Sequence, residues 1–163
     1  PYQFPEKLIP LMVSKAVRGE LLPVYGDGHH EREWLHIADH CAALETVLAR
    51  GRAGETYNIG SGEIHANRDV VMEICAILDD IRPRTADQSY SNLIAFTDDR
   101  PGHDARYALD SSRMRAELGW APATPFAVGL RQTVEWYLEN TEWVDGVRQR
   151  YGGQRLGNPQ TAR

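Results

Sequence analysis

Asp99 Arg100 Pro101 Gly102 His103 Asp104 Ala105 Arg106 Tyr107 puts two guanidinium groups, an imidazole and a Pro-Gly turn into one short stretch. Proline sets φ near −65° and the glycine after it admits φ > 0, so the backbone bends sharply and its N–H groups can converge on an anion. Arg100 and Arg106 add planar donor forks that match phosphate oxygens. A surface turn held by Arg–Asp pairs is the alternative, because Asp98, Asp99 and Asp104 are at hand.

Other chemistry finds less support. His36 and His40 are four apart and His29 and His30 adjacent, but His36 reads as strand and His40 as the start of a helix, so the i, i+4 metal geometry fails and no metal site is expected. His103, beside Arg100, suits a hydrogen bond to phosphate or sugar. No Gly-x-Ser-x-Gly elbow occurs. Gly60 Ser61 Gly62 follows one expected strand and precedes a helix, but it lacks the third glycine of a dinucleotide loop and reads as a plain turn.

Asp99 to Tyr107, with Leu109 Asp110 behind it, resembles the Asp-Arg-Pro-Gly-His-Asp-x-Arg-Tyr segment of dTDP-glucose 4,6-dehydratases, which are extended short-chain dehydrogenase/reductases acting on nucleotide sugars. Phe4 to Leu11, Pro23 to Gly28, Tyr57 to Gly60, Gly119 to Pro122 and Thr133 to Leu138 follow that family's order, so the resemblance covers nearly the whole chain. It implies a dTDP-binding surface. Lys7 and Leu8 would border the nucleotide and Pro23, Val24 and Tyr25 would contact the thymine. Arg32, Asn58 and Arg100 would reach diphosphate or ribose, with Asp99, Pro101, Gly102 and His103 completing the wall. The implied ligand is dTDP-glucose or dTDP, and the implied cofactor is NAD, held by the complete enzyme and not by this stretch alone.

No catalytic residue is assigned. The family's Tyr-x-x-x-Lys pair is absent, because Lys7 and Lys15 are the only lysines and Gln3 and Leu11 stand four positions before them. The chain opens on Pro1 in mid-motif, so the resemblance implies residues 1–163 are the C-terminal nucleotide-sugar-binding domain of a longer enzyme, its Rossmann domain missing or truncated, with a homodimer expected for the whole. Glu33, His36 and Arg68 stand where the family usually has Asp, Tyr and an apolar residue. Another nucleotide-sugar epimerase or a GDP-mannose dehydratase is the alternative within the class, and a non-catalytic nucleotide-sugar-binding remnant the alternative outside it.

Composition sets the frame. The chain has 163 residues, a net charge of −5 and 42% hydrophobic content, enough for one domain with a core and unsuited to general nucleic-acid affinity. No apolar run spans a bilayer and no signal-peptide pattern opens the chain, which makes the cytoplasm the expected location. Cys41 and Cys75 fall in expected helices and read as buried small hydrophobes.

Apolar spacing predicts helices over 5–18, with a kink near Ile9 from Pro10, over 39–50 with Asp39 as cap and Ala43, Leu44, Val47 and Leu48 inward, and over 67–81 with Asn67 as cap. Shorter helices follow Asp110 and Pro125, and another follows Asn140. Strands are expected at 21–25, 34–37, 55–59 and 93–96, the last delivering the chain to Asp99. The four tryptophans read as packing residues and 157–163 as a frayed tail. The result is a small mixed α/β lobe.

Overall fold

The computed structural model describes residues 2–85 and 87–151; the expected tail at 157–163 lies outside them. Helix α1, Leu8–Val17, leads to β1, Leu22–Tyr25, and then to β2, Glu31–Glu33. Next come α2, Ile37–Arg50, β3, Ile64–Ala66, and α3, Asn67–Ile81. A 3₁₀ turn, Tyr90–Leu93, feeds β4, Ile94–Thr97; β5, Arg106–Tyr107, precedes α4, Ser112–Leu118, α5, Phe126–Glu139, and α6, Thr141–Tyr151. The architecture is α/β with two small sheets. In one, β1 pairs in parallel with β4; in the other, β2 lies between antiparallel β3 and parallel β5.

Two apolar clusters hold these elements. The larger packs Met12, Val13 and Ala16 of α1 and Leu22 and Val24 of β1 against Val70, Val71, Ile74, Cys75 and Leu78 of α3, with Leu130 and Val134 of α5 closing it. Burying one such aliphatic side chain contributes about 1.5–3 kcal/mol. The smaller joins Ala43 of α2 to Met114, Leu118 and Trp120, with Leu35, Tyr57 and Ile59 at its margin. Trp34, Trp136 and Trp143 pack on the larger cluster, so all four tryptophans serve packing.

Several local expectations change. Helix α1 starts at Leu8, so Pro10 falls in the first turn, where its missing N–H has no intrahelical partner to lose, and the expected kink has no cause. Helix α2 starts at Ile37, not after an Asp39 cap. Asp39 lies buried inside it, and its Oδ2 accepts the Thr124 N–H at 2.9 Å. Burial raises this carboxyl, but backbone N–H groups of Thr124 and Ala123 outweigh that and hold it below the ordinary range. The face of α2 that packs runs through Asp39, Ala43 and Val47, at i, i+4 and i+8, so Leu44 and Leu48 point outward, Leu48 at 87% exposure.

The expected strand at 34–37 sits earlier, as β2, because pairing with β3 and β5 picks out 31–33. Residues 55–59 form no ladder among the described residues, and a strand exists only where another pairs with it. Asn67 opens α3 without a side-chain cap bond, and Ala66 occupies the cap position. No helix among the described residues is long and apolar enough to cross a membrane.

The cysteines separate. Cys75 is buried and its thiol is pushed up to about 12 by burial, with the nearby Asp79 charge adding to the rise. Cys41 is exposed, which corrects the expectation that both are core residues, because it lies on the outward side of α2 with Leu44 and Leu48. Thiolate, not thiol, is the nucleophile. A disulfide-exchange reagent at pH 8 is therefore expected to titrate one thiol in the native protein and two after denaturation; two fast native thiols would contradict the packing of α3.

Candidate functional site: the Asp99–His103 loop and its two flanking strands

Parallel pairing of β1 with β4 brings two loops to the same end of the small sheet: Gly26–His30 after β1 and Asp98–Ala105 after β4. The Gly26 N–H donates to the Thr97 carbonyl at 2.9 Å and extends the ladder by one rung. Gly26 and Gly28 have φ of 59° and 76°, a left-handed pair that turns the chain back toward α3. A side chain at Gly28 would strike Val24 and Arg68, each 2.7 Å from where its Cβ would sit, so the turn is pressed flat on the core.

Asp99 is the hub. Its Oδ1 accepts the Arg100 N–H at 2.8 Å and pairs with His103 Nδ1 at 2.6 Å, while its Oδ2 lies 3.0 Å from His30 Nε2. The His30 and His103 rings stack, 3.7 Å between centroids and 18° from parallel, and the Tyr25 ring meets His103 edge-on. Burial raises the Asp99 carboxyl, but the His103 bond, the Arg100 N–H and the charge of both imidazoles outweigh it and hold the group below the ordinary carboxylate range. The start of α3 closes this side: the Asn67 N–H donates to the His30 carbonyl at 2.9 Å and the Arg68 N–H to the Gly28 carbonyl at 3.0 Å.

Arg32, on β2, is placed by the second sheet. Its Nη1 donates to the Glu31 carbonyl at 2.6 Å and its Nη2 to the Asp104 carbonyl at 2.9 Å, and the guanidinium lies over the Tyr107 ring, 4.7 Å from its centroid. The Tyr107 hydroxyl donates to the Asp104 carboxylate. Arg106 pairs with Glu31 across β2 and β5 at 3.2 Å, so it belongs to the sheet and not to the Asp99–His103 loop. Beside Arg32 opens a cavity of about 340 Å³ lined by Arg32, Glu33, Leu35, Ile59, Tyr107 and Leu109.

Of the residues expected at the site, Tyr25, Arg32, Asp99, Arg100, Pro101, Gly102 and His103 come together around this loop, with Pro101 and Gly102 as its exposed turn and Gly102 at φ 68°. Pro23 is half-buried on β1. Val24 faces the core at 2% exposure and offers a ligand only its backbone, a consequence of side-chain alternation along β1. Asn58 is spent elsewhere, its amide donating to the Asp110 carbonyl at 3.2 Å near the start of α4. Lys7 pairs with Glu6 and Leu8 packs on the larger core, so α1 and not the loop sets their positions.

The structure adds three residues that the sequence analysis named but did not place at the site. His30 enters because the parallel pairing of β2 with β5 draws the residue before Glu31 to the Asp99 loop. Asn67 enters with the N-terminus of α3. Glu33 holds the floor: Oε1 accepts the Gly62 N–H at 2.6 Å and Oε2 the Leu109 N–H at 2.8 Å, and a Cβ at Gly60 would lie 2.4 Å from Oε1. Gly60 to Gly62 is thus a turn packed on a carboxylate.

His30, Asp99 and His103 are also the cluster that could be asked to hold a metal, their ligand atoms lying within 4.8 Å of one another. A cation about 2.1 Å from an imidazole nitrogen sits in the plane of that ring. Stacked rings aim their nitrogens side by side instead of at one point, which suits two donors meeting one carboxylate.

Comparison with known proteins decides the family. A family model for GDP-mannose 4,6 dehydratase matches residues 1–133. The chain belongs to this family. It is 56% identical over 147 residues to a dTDP-glucose 4,6-dehydratase of Xanthomonas campestris, covering 90% of this chain and 42% of that protein. The crystal structure of dTDP-glucose 4,6-dehydratase from Bacillus anthracis in complex with NAD superposes with a TM-score of 0.79 at 45% identity, over 90% of this chain and 44% of that one. DesIV, a dTDP-glucose 4,6-dehydratase from Streptomyces venezuelae with NAD and TYD bound, gives a TM-score of 0.79 at 44% identity, over 90% of this chain and 43% of that one. The chain spans less than half the length of these relatives.

Replacing Glu33 by Ala removes two charge-assisted bonds to backbone N–H groups of different loops and is expected to lower unfolding free energy by about 1.5–3 kcal/mol. Urea unfolding checks this; an unchanged midpoint would show that the two loops hold their places without the carboxylate.

Proposed function

We propose that this chain supplies the dTDP-binding surface of a dTDP-glucose 4,6-dehydratase, a cytoplasmic enzyme, homodimeric when whole, that converts dTDP-glucose to dTDP-4-keto-6-deoxyglucose and water. The observation that carries the reading is the convergence of Arg32, Arg100 and His103 on one exposed loop beside Tyr25, in a chain 56% identical to a curated dehydratase of that name. Arg32 and His103 are held in place by backbone and carboxylate partners before any ligand arrives, which lowers the ordering cost of binding. Arg100 is exposed on the loop and supplies a positive charge open to solvent. Each charge-assisted bond to a diphosphate oxygen is worth roughly 1.5–3 kcal/mol. The half-buried Pro23 and Tyr25 offer an apolar edge for a base.

NAD supplies the hydride chemistry in the reaction proposed, and the residues of this chain do not fit it. The Gly60–Gly62 turn, the glycine pair the sequence offered for such a loop, leads into β3 and not into a helix, has the Gly62 N–H bonded to Glu33 and has Gly60 pressed against the same carboxylate. No redox step is assigned to these residues. The 163-residue chain by itself, with NAD and dTDP-glucose added, is expected to form no 4-keto product; its appearance by ultraviolet assay in alkali would overturn this division of labour.

Binding separates the alternatives. Calorimetry with dTDP, UDP, GDP and ADP on the protein as expressed from its gene is expected to rank dTDP first, UDP weaker by about the value of one buried methyl, roughly 0.8 kcal/mol, and the purines undetectable. GDP binding best would assign the site to a GDP-sugar dehydratase, and equal binding of all four would reduce it to an anion site. Arg100→Ala should weaken dTDP by about 1.5–3 kcal/mol with the thermal midpoint nearly unchanged, whereas Arg32→Ala should weaken binding and also lower the midpoint, since Arg32 holds the Asp104 carbonyl.

A further inference from the structure

We infer that His30 is a positioning residue for the Asp99–His103 loop: it occupies the Asp99 carboxylate, which would otherwise pair with Arg100, and so leaves the Arg100 guanidinium for the diphosphate of a ligand. The inference rests on the nucleotide-binding reading above.

Two stacked rings divide the carboxylate between them. His103 Nδ1 lies 2.6 Å from Asp99 Oδ1, which also accepts the Arg100 N–H at 2.8 Å, and His30 Nε2 lies 3.0 Å from Oδ2. Side-chain exposure is 13% for His30 and 7% for His103 against 33% for Asp99, so the carboxylate is flanked by two largely buried rings. His30 has no second polar task. Its Nδ1 is buried without a hydrogen-bond partner, and its one polar side-chain contact among the described residues is Asp99. The backbone on either side of the ring is fixed: the His30 carbonyl accepts the Asn67 N–H at 2.9 Å, and the next N–H, that of Glu31, donates to the Ala105 carbonyl at 2.8 Å. The ring meets Asp99 from a held base.

Elsewhere in this chain a carboxylate without such donors turns to the cation next to it. Arg68 pairs with Asp69 at 3.2 Å and Lys7 with Glu6 at 3.4 Å, each between adjacent residues. Asp99 and Arg100 are adjacent in the same way, yet Arg100 gives Asp99 only its backbone N–H, and its exposed side chain enters no ion pair among the described residues. The difference lies in Asp99, whose two oxygens are both served by imidazoles. Of the other carboxylates close by in the chain, Asp104 is taken by the Tyr107 hydroxyl and Asp98 is exposed to water. A freed Asp99 would set a carboxylate against the diphosphate for the same guanidinium, and would add an unengaged negative charge where an anion has to dock.

Calorimetry with dTDP, on the protein as expressed from its gene, tests this through pairs of variants. His30→Phe keeps a ring against His103 but removes the donor, and is expected to weaken dTDP about tenfold, whereas His30→Gln returns a donor without the ring and should recover most of that loss. Equal loss in the two variants would assign the effect to the ring and overturn the inference. The deciding measurement repeats His30→Phe in an Arg100→Ala background. His30 and Arg100, which share no hydrogen bond or ion pair, are linked in this reading through Asp99. With no guanidinium to capture, His30→Phe should then cost less than about twofold. A merely structural role would cost the same factor in both backgrounds; that result, or wild-type affinity in His30→Phe, overturns the inference and leaves the nucleotide-binding reading standing. If circular dichroism shows that His30→Phe does not fold, His30→Leu, also without a donor, is measured in the same two backgrounds. Wild-type protein that binds no dTDP overturns both.

Discussion

The parallel pairing of Leu22–Tyr25 with Ile94–Thr97 is the constraint on which the site depends. Parallel strands need a long crossover, and here that crossover contains β2, α2, β3 and α3, whose burial against α1 supplies the free energy that holds the two strands together. Because the strands run the same way, the loops that follow them emerge at one end. Had they paired antiparallel, Gly26–His30 and Asp99–His103 would lie at opposite ends of the sheet and no shared carboxylate could exist.

From that frame outward, carboxylates organise the loops. Asp99 gathers Arg100, His30 and His103; Glu33 ties the Gly62 turn to Leu109; Asp39 fixes the approach to α5 through Thr124; Asp79 accepts from Ser89 and from the Tyr90 N–H ahead of β4. The pattern has one physical origin. Loops cannot satisfy their own N–H groups as helices do, and a carboxylate with several lone-pair sites can serve two segments at once. Within the loop, Asp99 and Asp104 are engaged by His30, His103 and Tyr107, while Arg100 stays exposed.

Around the loop, Phe96, Tyr107 and Leu109 are each more than half exposed. Tyr107 and Leu109 also line the Arg32 cavity, so a charged donor and hydrophobic contact are offered on one face.

The sequence by itself determined the helices that carry a strong apolar stripe, above all α3, the two strands of the parallel pair to within a residue, the packing role of the tryptophans, and the sharp Pro-Gly turn of the Asp99–His103 loop. Those features are local: spacing, proline and glycine chemistry, and a nine-residue motif suffice to read them. The tertiary structure decided what local patterns leave open. Which side of α2 packs was set by Ala43 meeting Trp120, not by the number of leucines available to either side. Tyr57 and Ile59 make a strand-like run without a paired ladder, because a ladder needs a neighbour that the pattern of one segment cannot specify. Asn58 went to Asp110 and His30 came to Asp99 for the same reason: each side chain's partner lies more than fifty residues away in the chain, and only the packed fold chooses among partners at that separation.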